Sequence, residues 1–167
     1  MSRYWYWLLP TIEQERELAR LMQRLATQLG VRYYPPHLTL GTARYLELPA
    51  LAGVASTTDS LVGSSSRPPV IGQVWNRAFY LPIDIDMVAL QELRQRLQLH
   101  EPASPPHISL AYTENFDMLK SVAHHLSLPD LPTQISFDRI AIVRAGNWGE
   151  IWDIVVIHSL GRRCLHC

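Results

Sequence analysis

The sequence predicts an α+β fold of two pseudo-symmetric lobes, each an antiparallel β-sheet with helices on the outside, facing one another across a central cleft. Three observations carry that reading. Short apolar runs of strand character alternate with stripes at helical spacing, in the order βαβαβ followed by βαβαββ. One word occurs twice at the same place in that order, Pro35-Pro36-His37-Leu38-Thr39-Leu40 and Pro105-Pro106-His107-Ile108-Ser109-Leu110, the copies beginning 70 residues apart. The 167 residues, 47% hydrophobic and 18% charged, suit one bilobal domain over 1–167 that buries roughly 70% of the surface its unfolded chain would expose.

Residues 3–9, Arg3 followed by an unbroken aromatic and aliphatic run, read as a strand that Pro10 and Thr11 end. Thr11 stands where an N-cap belongs. Leu18, Leu21, Met22, Leu25, Ala26 and Leu29 then recur at helical spacing over 13–29, and Gly30 supplies the stop. The first copy of the word opens a strand over 37–44, followed by a weaker helix over 48–61 and a polar turn over 63–69. Two strands, 69–75 and 78–83, turn around Asn76-Arg77. Asp84 or Asp86 caps a helix striped by Val88, Leu90, Leu93 and Leu97. The second copy opens a strand over 107–112, a helix follows over 116–126, and strands 134–144 and 150–158 close the chain as a hairpin around 145–149, where Trp148 can form an aromatic lid or fold back onto Trp152.

Charge and composition exclude several functions. Fifteen basic residues balance fifteen acidic ones, so the chain lacks the positive field that holds long nucleic acid by its phosphates. No apolar stretch approaches the roughly 20 residues of a membrane span, and the opening residues lack a signal-peptide layout, so a cytoplasmic protein without membrane contact is expected. Cys164 and Cys167 flank Leu165-His166 without the second ligand pair a zinc ribbon needs, and the tail from about 160 is expected to fray. Asp84-Ile85-Asp86 is explained by a strand end and a helix cap, so no metal site is expected there.

In a strand, alternate side chains share a face, so His37 and Thr39 point one way and Leu38 and Leu40 the other; His107 and Ser109 repeat the arrangement. Packing alone has no need of that polar pair twice. With seven histidines, chance supplies about a tenth of one His-x-[Ser/Thr]-Leu match in such a chain. Two histidines converging on a cleft suit in-line attack on phosphorus: one neutral imidazole takes a proton from water, and one imidazolium protonates the departing sugar oxygen. The Thr39 and Ser109 hydroxyls can donate to the non-bridging oxygens as charge builds there. No cofactor is called for.

These residues resemble the 2H phosphoesterases, a family defined by two His-x-[Ser/Thr]-hydrophobic motifs in a duplicated bilobal α+β fold. The resemblance covers nearly the whole chain. Within it, Trp7-Leu8-Leu9-Pro10 and His107-Ile108-Ser109-Leu110-Ala111-Tyr112 look most like the plant and yeast cyclic phosphodiesterases. The resemblance implies an enzyme that opens nucleoside 2',3'-cyclic phosphates to 2'-phosphates and ADP-ribose 1'',2''-cyclic phosphate to ADP-ribose 1''-phosphate, and with paired-histidine chemistry that needs no metal we expect a metal-independent monomer. It implies that His107 activates water, that His37 protonates the leaving group, that Trp7 walls the base and that the Tyr112 hydroxyl lies near the phosphate. In a regular strand Tyr112 would face away from His107, so that last role requires the strand to end or bulge. Two alternatives stand beside this reading: an enzyme acting on cyclic phosphates at RNA 3' ends, similar to bacterial 2'-5' RNA ligases, and a catalytically silent nucleotide-binding module.

Overall fold

The computed structural model describes residues 3–45, 48–72, 78–125, 131–145 and 153–161. The elements in chain order are β1 (Arg3–Pro10), α1 (Ile12–Leu29), β2 (Leu38–Ala43), α2 (Leu48–Ser56), β3 (Leu61–Ser64), β4 (Val70–Ile71), β5 (Ala78–Pro82), β6 (Asp84–Ile85), α3 (Met87–Arg96), β7 (His107–Tyr112), α4 (Phe116–His125), β8 (Gln134–Ala145) and β9 (Asp153–Ser159). The strands make one antiparallel sheet in the order β4-β5-β7-β2-β1-β8-β3-β6, with β9 added to β8. The expected α+β class is observed, and the two expected sheets are halves of one sheet that meet where β2 touches β7.

The alternation of β1 decides the layers. Tyr6 and Leu8 join Ile140 and Ile142 of β8 in the main core, packed with α1 through Leu18, Leu21, Met22, Leu25 and Leu29. Trp7 and Leu9 cluster with Ala141 and Val143 on the opposite face. The helical stripe therefore seats one face of the sheet on α1 and leaves the other for the site. At the end of α1, Gly30 adopts the left-handed conformation and returns its N–H to the carbonyls of Ala26 and Thr27. Thr11 occupies the N-cap position without making a side-chain cap bond; its hydroxyl donates to Gln14 Oε1 at 3.4 Å.

Three expectations change. The weaker helix ends at Ser56, where the Thr57 and Thr58 hydroxyls donate back to the carbonyls of Gly53 and Val54. The expected polar turn begins as a strand: β3 pairs with β8 and β6, and Leu61 and Gly63 are buried. Gly63 is there for space, since a Cβ would collide with Ile83. Leu160 and Gly161, where fraying is expected, are tied down: Leu160 N–H donates to Asp138 O at 2.7 Å and Gly161 N–H to Thr58 O at 2.7 Å. Val70–Ile71 pairs with β5 as expected. The Asn76-Arg77 turn, the 146–149 turn with Trp148, and Cys164 with Cys167 lie outside the described residues. Among the described residues no helix is long and apolar enough to cross a membrane.

Candidate active site

The two copies of the repeated word meet at a single strand pair, Leu38 opposite Ile108. Both side chains are fully buried in the core. Antiparallel register then sets His37 across from Ser109 and Thr39 across from His107, all four on the opposite face. Each histidine thus faces the hydroxyl of the other half. The strands part beyond this point, because at Thr42 the free edge of β2 is taken by His100, with N–H to O distances of 3.0 and 2.8 Å.

Both imidazoles are held in the same way. His37 Nδ1–H donates to Pro35 O at 2.7 Å, and His107 Nδ1–H donates to Pro105 O at 2.7 Å. A carbonyl oxygen carries no proton, so these bonds settle the tautomer and leave each Nε2 for chemistry. The prolines place their carbonyls two residues ahead of each ring. Despite equal anchors, the rings differ in cover. His37 is only 8% exposed, whereas His107 is half-buried. Burial pushes the His37 pKa down from 6.5 to about 4, partly opposed by the Pro35 bond and reinforced by the positive charge His107 can carry. Burial also lowers the His107 pKa, again against its carbonyl bond.

A bulge in each motif strand directs the remaining polar groups. Phe79 pairs with Ala111 and Tyr80 with Ser109, so Leu110 is the extra residue in β7. Tyr6 pairs with Gly41 and Trp7 with Thr39, so Leu40, at the same place in the first word, is the extra residue in β2. The bulge at Leu110 reverses the alternation and swings Tyr112 onto the face of Ser109. Its hydroxyl donates to Ser109 Oγ at 2.8 Å. Burial raises the Tyr112 pKa, against the lowering effect of the Ser109 bond, so Tyr112 keeps its proton and remains the donor. With one lone pair of Oγ taken, the Ser109 hydroxyl is oriented to donate its own proton outward.

Trp7 lies on the face of the sheet opposite the main core but is 1% exposed, and its ring stacks flat on His37, with centroids 3.6 Å apart and an 11° interplanar angle. One face of the indole that the resemblance implies as a wall for the base is thus taken by His37. Residues that sequence reasoning missed complete the site. Tyr80 leans on His107 with ring centroids 5.0 Å apart. Tyr34 meets Tyr112 edge-on at 5.5 Å, with the Arg32 guanidinium 5.7 Å from the Tyr34 ring centre. Arg94 is buried in α3, donates through Nε to the carbonyl of the bulged Leu40 at 2.8 Å, and pairs with Glu101 at 2.8 Å. A signal for Arg94 existed: it stands four residues after Leu90 on the buried stripe, a position where a charge demands a partner.

Asp84 and Asp86 have separate structural partners. Asp86 caps α3, accepting from the N–H groups of Val88 at 2.8 Å and Ala89 at 3.2 Å. Asp84 accepts from Ser66 at 3.0 Å and pairs with Arg67. Among the described residues no three His, Cys, Asp or Glu side chains gather as a metal site.

No family model matches the chain, and no curated protein matches it. The likeness is to solved structures. A protein described as a phosphoesterase aligns over 96% of this chain and 99% of its own, with a TM-score of 0.55 at 14% identity. Escherichia coli LigT in its apo form aligns over 96% and 98%, with a TM-score of 0.56 at 15% identity. LigT complexed with 3'-AMP aligns over the same shares, with a TM-score of 0.53 at 14% identity. This chain has the α+β fold of those proteins along almost its whole length.

Proposed function

We propose that this chain is a metal-independent 2H phosphoesterase that opens the cyclic phosphate of a small nucleotide, either a nucleoside 2',3'-cyclic phosphate or ADP-ribose 1'',2''-cyclic phosphate. The observation that carries the reading is the Leu38–Ile108 register, which sets two carbonyl-anchored imidazoles and two hydroxyls of opposite halves on one face. The shared fold supports it, as does the 3'-AMP complex of LigT, whose ligand is of nucleotide size. One neutral Nε2 takes a proton from water as the water oxygen bonds to phosphorus. The P–O bond to the sugar 3'-oxygen breaks in line, and the second ring, as imidazolium, delivers its Nε2 proton to that oxygen, leaving a 2'-phosphate. Thr39 and Ser109 donate to the non-bridging oxygens, and Tyr112 orients Ser109.

Burial supports His37 as the base and His107 as the acid, the reverse of the order the resemblance implies. Full burial works against a charged ring by up to about 4–7 kcal/mol. The stacked Trp7 face favours an imidazolium by only about 0.5–2 kcal/mol. Burial wins, so His37 rests neutral.

The test is hydrolysis of the four nucleoside 2',3'-cyclic phosphates in EDTA, with product position read by phosphorus NMR. Wild type should release 2'-phosphate, and His37→Ala and His107→Ala should each lose at least about a hundredfold in turnover. Turnover confined to oligonucleotides ending in a cyclic phosphate would move the substrate to RNA ends. Binding without turnover of either substrate would make the chain a nucleotide-binding module.

A further inference from the structure

The two motifs differ only by Leu38 for Ile108 and Thr39 for Ser109, and they share their bulges and their 2.7 Å carbonyl anchors. Whatever makes the imidazoles unequal must therefore come from what covers them. The strand paired to each motif supplies that cover. In the first half, Leu8 lies opposite Leu38 and Trp7 opposite Thr39; in the second, Leu81 lies opposite Ile108 and Tyr80 opposite Ser109. Tyr80 is thus the counterpart of Trp7 by register. The two rings make different contacts. Trp7 stacks at 3.6 Å and 11°, whereas half-buried Tyr80 sits at 5.0 Å and 59° from His107. Gly72 backs Tyr80: a Cβ at that glycine would stand 2.6 Å from Tyr80 Cε1 and 3.3 Å from its hydroxyl.

We propose that Tyr80 is the positioning residue of His107: it holds that imidazole half open to solvent where Trp7 seals His37, so unequal aromatic partners divide the two proton-transfer roles. The titratable groups that face His107 among the described residues are His37 from the other half and Tyr80 from β5. Among the described residues no carboxylate contributes to its shift, so the ring cover is the variable that remains. The kinetic part of the inference rests on the acid–base reading above.

The experiment follows the His107 ring protons by NMR across pH in wild type, Tyr80→Ala, Tyr80→Leu and Tyr80→Phe, beside the pH dependence of kcat/KM on a nucleoside 2',3'-cyclic phosphate. Removing the ring in Tyr80→Ala should move the His107 midpoint up toward 6.5, shift the alkaline limb of the rate profile with it, and lower kcat roughly ten- to a hundredfold with a smaller change in KM. Tyr80→Phe should restore both midpoint and rate. Tyr80→Leu, which keeps most of the apolar cover without the planar ring, should hold the His107 midpoint closer to wild type than Tyr80→Ala does, and guards against a collapsed site. A His107 midpoint equal to wild type in both Tyr80→Ala and Tyr80→Leu overturns the inference. The titration needs no substrate, so a wild-type protein without turnover would defeat the proposed function and leave this readout standing.

Discussion

Replacing His37 by Asn tests the buried, neutral imidazole without a substrate. Asn can still donate an N–H toward the Pro35 carbonyl but cannot take up a proton. In the wild type the His37 pKa falls from 6.5 in the unfolded chain to about 4 in the fold. The unfolded chain therefore binds the proton first, so stability is intact above pH 6.5 and is lost as pH falls from 6.5 toward 4. Integrating over that window, His37 alone removes about 3 kcal/mol by pH 4. That is a large part of the roughly 5–15 kcal/mol that stabilises a typical domain. His107 shifts in the same direction and adds to the loss. Urea unfolding followed by tryptophan fluorescence at pH 7, 5.5 and 4 should show His37→Asn losing about 3 kcal/mol less than wild type between pH 7 and 4. Carboxylates elsewhere contribute equally to both proteins and cancel. Equal acid losses would refute the buried, neutral His37, and with it the argument for His37 as base.

Other expectations are as direct. In Tyr112→Phe the ring stays and the bond to Ser109 Oγ goes, so kcat should fall about five- to thirtyfold while KM and the far-UV circular dichroism hold; an unchanged kcat would remove Tyr112 from the orienting role. The kcat/KM profile should peak on the acidic side of neutrality, with an acid limb near pH 4 from His37 and an alkaline limb below 6.5 from His107; a plateau reaching pH 8 would contradict the His107 assignment. Ile108→Ala leaves a void under the strand pair that aligns the motifs, so urea unfolding should show a loss of about 2–5 kcal/mol; a loss below about 1 kcal/mol would mean the pair is not core-seated. Prolonged dialysis against EDTA should leave turnover unchanged, and loss restored by a divalent cation would defeat the metal-free step.

Much of the site was legible because its signals are local. The alternation of His37 with Thr39, and of His107 with Ser109, follows from strand geometry alone. The α1 stripe and the Asp86 cap are likewise matters of spacing a few residues long. Gly63 reads as a turn because a glycine in sequence looks the same whether it bends the chain or admits Ile83. Tyr112 was legible only conditionally: its parity was wrong for the site unless the strand bulged, and the bulge at Leu110 depends on how β5 lies alongside β7.

The sequence by itself determined the two motifs, the prolines that anchor their imidazoles and the helices that back the sheet, because each depends on neighbours along the chain. Only the tertiary structure decided that Leu38 meets Ile108, that each histidine faces the other half's hydroxyl, and that Trp7 covers one ring while Tyr80 leans on the other. Register between strands 70 residues apart and the desolvation of a side chain are set by packing across the sheet, so two nearly identical words acquire different chemistry from the strands beside them.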